Sequence, residues 1–126
     1  LRSLLLLYKN RANPLRRRHF KGIEFQCTCC LEYSIQPKLV DQLEELRRSI
    51  KRPIIITSGY RCPYWNERVG GAANSAHMLG QAADFKLQIS KDQMRKELEK
   101  LDVGYCEIRE TYVHLSIRGK KRIIEK

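Results

Sequence analysis

Acidic residues are almost absent from the two ends of this chain. Residues 1–22 carry seven Lys or Arg and no Asp or Glu, and residues 118–126 carry five against the single Glu125. These ends contribute +7 and +4, which is the whole formal charge of +11. Residues 23–117 hold thirteen basic and thirteen acidic side chains and are neutral. A body with no net charge and no stripe of alternating aromatic and basic residues is not a specific nucleic-acid surface. Any attraction to a polyanion belongs to the ends, which read as a basic N-terminal arm (residues 1–19) and a basic C-terminal tail (residues 119–126).

Long apolar runs are also missing. The four leucines Leu4–Leu7 are too few for a membrane span or for the core of a secretory signal. No internal repeat and no Gly/Ser linker divides the chain, so its 126 residues fit one compact domain. Nothing in the pattern calls for a second copy, so a monomer is expected. Cysteines are few and odd in number: Cys27, Cys29, Cys30, Cys62 and Cys106. Cys27-Thr-Cys29-Cys30 has the look of half a zinc site, but no second pair follows at ligand spacing. A disulfide from that cluster to Cys62, buried thiols and a second metal site all stay open.

The elements can be read from periodicity. Pro37 suits a first helical turn, and Leu39, Leu43, Leu46 and Ile50 then recur on one face up to the stop at Pro53. Ile54–Thr57 is β-branched and reads as a buried strand. A short helical turn fits Pro63–Arg68, closed by Gly70-Gly71. Ala82–Leu87 reads as a second strand. Ser90 caps a helix, with Gln93 as its capping-box partner and Met94, Leu98 and Leu101 inward. Val103–Ile108 and Tyr112–Ile117 form an antiparallel pair. Alternation sends Val113 and Leu115 to the core and Tyr112, His114 and Ser116 to a groove. Phe20, Ile23 and Phe25 supply the first core contacts. The class is α+β, a small antiparallel sheet flanked by helices.

Histidine is the scarcest informative residue: His19 lies in the basic arm, leaving His77 and His114. Two imidazoles and one carboxylate, Asp84, can hold a zinc ion and leave one coordination position open, as catalytic sites do. On an ideal helix His77 and Asp84 would stand roughly 10 Å apart along the axis, and on one strand they would point to opposite faces. They can share a metal only if the chain turns between them, and Gly80 permits that turn.

The residues Ser58-Gly-Tyr-Arg61-Cys-Pro, Val69-Gly-Gly-Ala, Ser75-x-His77-x-x-Gly80-x-Ala82-x-Asp84 and Tyr112-Val-His114-Leu-Ser resemble the zinc D-Ala-D-Ala carboxypeptidase family over about residues 20–118. That family shares its fold with lysostaphin-type peptidases and the Sonic hedgehog signalling domain. Its members cut peptidoglycan stem peptides, and many are cell-wall enzymes or phage endolysins. The resemblance implies a peptidase domain at residues 20–118, zinc as cofactor, His77, Asp84 and His114 as ligands, and peptidoglycan peptides as partner. The basic ends would then suit an anionic cell-wall polymer. It implies Arg61 at the substrate's carbonyl or carboxylate, where a forked, always charged group fits, and Ser75 and Tyr112 as substrate contacts. A carboxylate must also accept the proton of the attacking water. Several relatives carry that Glu three residues before the last ligand, where this chain has Thr111. Ile108-Arg109-Glu110 resembles an element of phage-type relatives, so Glu110 is the expected base with Glu107 in reserve. Without a working base the same fold would be a zinc-stabilised binding module.

Overall fold

The computed structural model describes residues 19–126; the arm expected at residues 1–19 lies, except for His19, outside the described residues. Pro37–Ile50 forms helix α1, Pro63–Arg68 the short α2 and Lys91–Glu99 α3. Two 3-10 turns cover Gly22–Phe25 and Ala76–Leu79. Five strands, β1 (Ile55–Ser58), β2 (Ala82–Lys86), β3 (Tyr105–Ile108), β4 (Val113–Ser116) and β5 (Arg122–Glu125), make one sheet in the order β1-β2-β4-β3-β5. All neighbours are antiparallel except β3 and β5. The fold is the expected α+β type.

Pleating gives the sheet two chemically different faces. Ala83 and Phe85 of β2, Val113 and Leu115 of β4, and Cys106 and Ile108 of β3 belong to the buried core. Leu39, Val40, Leu43 and Leu46 of α1 and Met94 and Leu98 of α3 complete the same cluster. Truncating a fully buried side chain of this kind to Ala costs roughly 2–5 kcal/mol. The opposite face keeps the polar residues. Register sets Ser58 opposite Asp84, Asp84 opposite His114, and His114 opposite Glu107. Directly opposed residues share a face, so these four side chains form one row across four strands.

Local chemistry explains the helix boundaries. Pro37 and Pro63 stand in the first turns of α1 and α2, where a missing N–H costs nothing. The Ser90 hydroxyl caps α3 by accepting from the Gln93 N–H at 3.1 Å. The Gln93 side chain does not complete a capping box; its amide donates to Glu97 at 2.8 Å. The chain enters through Glu44, whose buried carboxylate accepts the N–H groups of His19 and Phe20, both at 3.0 Å. His19 Nδ1 lies 2.7 Å from the same carboxylate, so this histidine is an anchor for the entry.

Three further expectations change. Ile55–Ser58 is an edge strand rather than a buried one, and Ile55 is 62% exposed. Hydrophobicity alone does not separate a central strand from an edge. Ile23 is exposed, while Phe20 and Phe25 are buried as expected. Residues 122–125, read as tail, are β5, where Ile123 packs against the core. Arg95 binds this strand through the Ile123 carbonyl at 3.0 Å and Glu125 at 3.2 Å. No helix among the described residues is long and apolar enough to cross a membrane.

Candidate metal centre

The polar row on the sheet supplies two of the expected ligands, Asp84 from β2 and His114 from β4. The third arrives from the loop above. Ser75 caps the 3-10 turn, its hydroxyl accepting from the His77 N–H at 3.2 Å. Gly80 then adopts φ +69°, and a Cβ there would lie 2.0 Å from the Ser34 carbonyl oxygen. Both its left-handed backbone and this contact require glycine. The reversal it makes returns the chain into β2, so His77 comes down over Asp84.

Ligand atoms of His77, Asp84 and His114 all lie within 4.8 Å of one another. The imidazole centroids are 5.3 Å apart. His77 Nδ1 stands 2.7 Å from the Gly59 carbonyl, so Nδ1 carries the proton and Nε2 presents a lone pair. Gly59 holds that carbonyl in place by close approach: a Cβ on it would lie 2.5 Å from Phe25 Cα. His77 Nε2 is buried, lies 3.3 Å from Asp84 Oδ1, and makes no hydrogen bond. A buried nitrogen without a partner is costly. Metal coordination would satisfy it, with the other ring nitrogen fixed by a carbonyl, as is usual for metal-bound histidines. Asp84 Oδ1 also faces His114 Nδ1 at 2.8 Å. Burial works to raise the Asp84 carboxyl, but the hydrogen bond from His114 and the two imidazoles beside it outweigh that and hold the group well below the usual carboxylate range. Two imidazoles and one carboxylate in this arrangement fit a zinc ion.

Around this centre is a cleft of about 600 Å³ that includes Arg61, Ser75, Tyr105, Glu107, Tyr112 and the three ligands. Arg61 donates from Nε to Ser58 Oγ at 3.2 Å and from Nη1 to Asn66 Oδ1 at 3.3 Å, and its Nη2 lies 3.5 Å from Asp84 Oδ2. Its guanidinium is held in position from three sides. Tyr112 meets Arg109, whose guanidinium carbon lies 5.8 Å from the ring centroid.

Glu110 does not join the cluster. It sits in the β3–β4 bend with its side chain 81% exposed, paired with Lys91. It borders a larger neighbouring groove of about 810 Å³ that shares Arg109 and Tyr112 with the cleft but contains none of the three ligands. Strand alternation ends at Ile108, so a residue in the bend no longer follows the face of β3. Glu107 is the carboxylate beside the centre, opposite His114 and within its cleft. It accepts from the Tyr105 hydroxyl and from Arg109 Nε at 2.8 Å. Burial opposes its charge, but Tyr105 and Arg109 hold its carboxyl below the ordinary value. Tyr105 and Asn66 escaped the sequence reading. Tyr105 lies two residues from Glu107 on one strand face, and its ring centroid is 6.3 Å from that of His114. Period-2 spacing could have found it. Asn66 could not be found this way, because its buried side chain joins Arg61 to the Ala72 carbonyl across a loop.

A second group of metal-capable side chains lies apart from the cleft: Cys27, Cys30 and Cys62, with ligand atoms also within 4.8 Å of one another. All five cysteines are free thiols. Burial raises the Cys27 thiol, but backbone N–H groups of Cys30, Cys62 and Cys29 and the Cys62 side chain outweigh it and bring the group to about 7.

Residues 18–116 match the family model described as peptidase M15. This chain belongs to the peptidase M15 family. A 45-residue stretch is 42% identical to the zinc D-Ala-D-Ala carboxypeptidase of Streptomyces albus G. That stretch covers 35% of this chain and only 18% of the Streptomyces protein.

Proposed function

We propose that this M15 chain is a zinc-dependent peptidase that cuts peptidoglycan stem peptides. It acts either on a terminal D-Ala-D-Ala, as the name of the Streptomyces relative suggests, or between L- and D-residues. The observation that carries the reading is the buried lone pair of His77 Nε2, aimed at Asp84 and His114 in an open cleft. His77, Asp84 and His114 would hold the ion. Bound there, zinc would supply Lewis acidity toward a peptide carbonyl and a lowered pKa for water.

The chain's own residues supply the rest. Arg61 meets a substrate carboxylate or carbonyl with a charged fork already oriented by Ser58, Asn66 and Asp84. Because that geometry exists before substrate arrives, little reorganisation is needed as negative charge develops. Glu107, ionised at neutral pH, orients the attacking water, accepts its proton and returns it to the leaving amine. Glu107 replaces Glu110 in this role because Glu110 borders the other groove. Tyr105 and Arg109 fix the Glu107 carboxylate. Tyr112 lines the cleft where the peptide would lie. Ser75 acts mainly through the turn, orienting His77.

Two observations favour a second reading, a zinc-stabilised binding module. Both Glu107 oxygens already accept hydrogen bonds, and Thr111 stands where several relatives carry the base. Mass spectrometry of muropeptides incubated with the zinc-loaded chain separates the two. Loss of a terminal D-Ala, or a cut between L- and D-residues, is expected. Intact muropeptides together with tight muropeptide binding would establish the module instead.

A further inference from the structure

The cysteine group plays no part in the proposed hydrolysis, yet it is built like a site. Cys27 opens a tight turn in which its N–H donates to the Glu32 carbonyl at 2.7 Å and its carbonyl accepts from the Leu31 N–H at 3.0 Å. Leu31 closes that turn at φ +65°. This brings Cys30 back beside Cys27. Cys62 is delivered from 35 residues away, at the start of α2. Two backbone N–H groups point at sulfur: Cys62 N–H at Cys27 Sγ and Trp65 N–H at Cys62 Sγ, each at 3.4 Å. Such donors stabilise negative charge on sulfur, the form in which cysteine binds metal. Cys29, exposed, lies in the same turn beside Cys30 and is the fourth sulfur that turn can offer.

We propose that Cys27, Cys29, Cys30 and Cys62 hold a second zinc ion in a closed, structural site. The three sulfurs share one small volume as free thiols, which a metal can join at once and a single disulfide cannot. Thiolates select soft or borderline metals, and zinc accepts four of them tetrahedrally. A four-sulfur site has no vacant corner for water and so performs no hydrolysis. Binding releases the thiol protons and ties the 27–30 turn to the loop that begins at Gly59. Along that seam the Tyr60 N–H already donates to the Phe25 carbonyl at 2.8 Å. Arg61 directly precedes Cys62, so the second ion would hold the arginine that faces Asp84.

The test uses the full chain, purified under reducing conditions, loaded with zinc and freed of excess. Two zinc ions per chain are expected, with one kept by His77→Ala and a different one kept by Cys62→Ser. Cobalt(II) in place of zinc should give the near-ultraviolet sulfur-to-cobalt charge-transfer band in the native chain and in His77→Ala. Metal should also shield Cys27, Cys29, Cys30 and Cys62 from iodoacetamide until a chelator is added. If Cys62→Ser does not fold, the cobalt spectrum and the alkylation pattern of the native chain decide. A single zinc that vanishes in His77→Ala, no thiolate band, or a mass lower by two hydrogens through a disulfide would overturn the proposal.

Discussion

The two clusters of metal-capable side chains are held in opposite ways. His77, Asp84 and His114 rest on the sheet: two come from paired strands, and the third is pinned through its other ring nitrogen to Gly59. Their cleft is open and carries further polar groups. Cys27, Cys30 and Cys62 come from a turn and a helix start, with no paired strand among them. Their supporting donors are backbone N–H groups. A mixed nitrogen–oxygen set beside a cleft suits a metal that must meet substrate, and a sulfur set between two loops suits one that only fastens. The two clusters meet at Arg61, which follows Gly59 and Tyr60, precedes Cys62 and reaches Asp84.

The sharpest way to break this contrast is to remove one cluster at a time. His77→Ala should reduce muropeptide cleavage to background while leaving the chain folded, since its main bonds are to the Gly59 carbonyl and the Ser75 hydroxyl. Cys62→Ser should leave cleavage measurable but lowered by about 10–100-fold, the size typical of losing support for an active group. Turnover assays alongside circular dichroism check both. Equal losses in the two variants would erase the distinction between a working and a fastening site.

A finer test concerns the carboxylates. Glu107→Gln should lower kcat by about 10²–10⁴-fold with zinc content unchanged, and Glu110→Gln should leave it within about twofold, as expected for an exposed group at a distance. The reverse result would return the base to the bend.

The choice between those two glutamates also marks where sequence legibility stopped. The convergence of His77, Asp84 and His114 could be read because strand alternation and the turn at Gly80 constrain these three side chains strongly. Alternation also assigns Glu107 to the face of Tyr105, but beyond Ile108 the chain bends and the rule lapses. Cys62 could be joined to the Cys27–Cys30 cluster only as one of several alternatives, because their proximity depends on Phe25 packing against Gly59 and Tyr60. β5 was masked by its charge: Arg122 and Glu125 flank the two isoleucines that make it a strand.

The smallest expected effect is on the metal-free protein in acid. Asp84 and Glu107 are both held below their ordinary values of 3.8 and 4.5 in the fold. The unfolded chain therefore binds protons first, and the stability these groups contribute is fully present above those values. It drains as pH falls through them toward the lower folded values. Urea midpoints of the metal-free chain should fall between about pH 5 and pH 2, and less steeply in Asp84→Asn. Identical slopes in both proteins would remove Asp84 from the account.

The most direct measurement is anomalous diffraction at the zinc absorption edge from crystals of the zinc-loaded chain. A peak within coordination distance of His77 Nε2, an Asp84 oxygen and a His114 ring nitrogen is the expected result. Full density for the three side chains with no peak among them would contradict it.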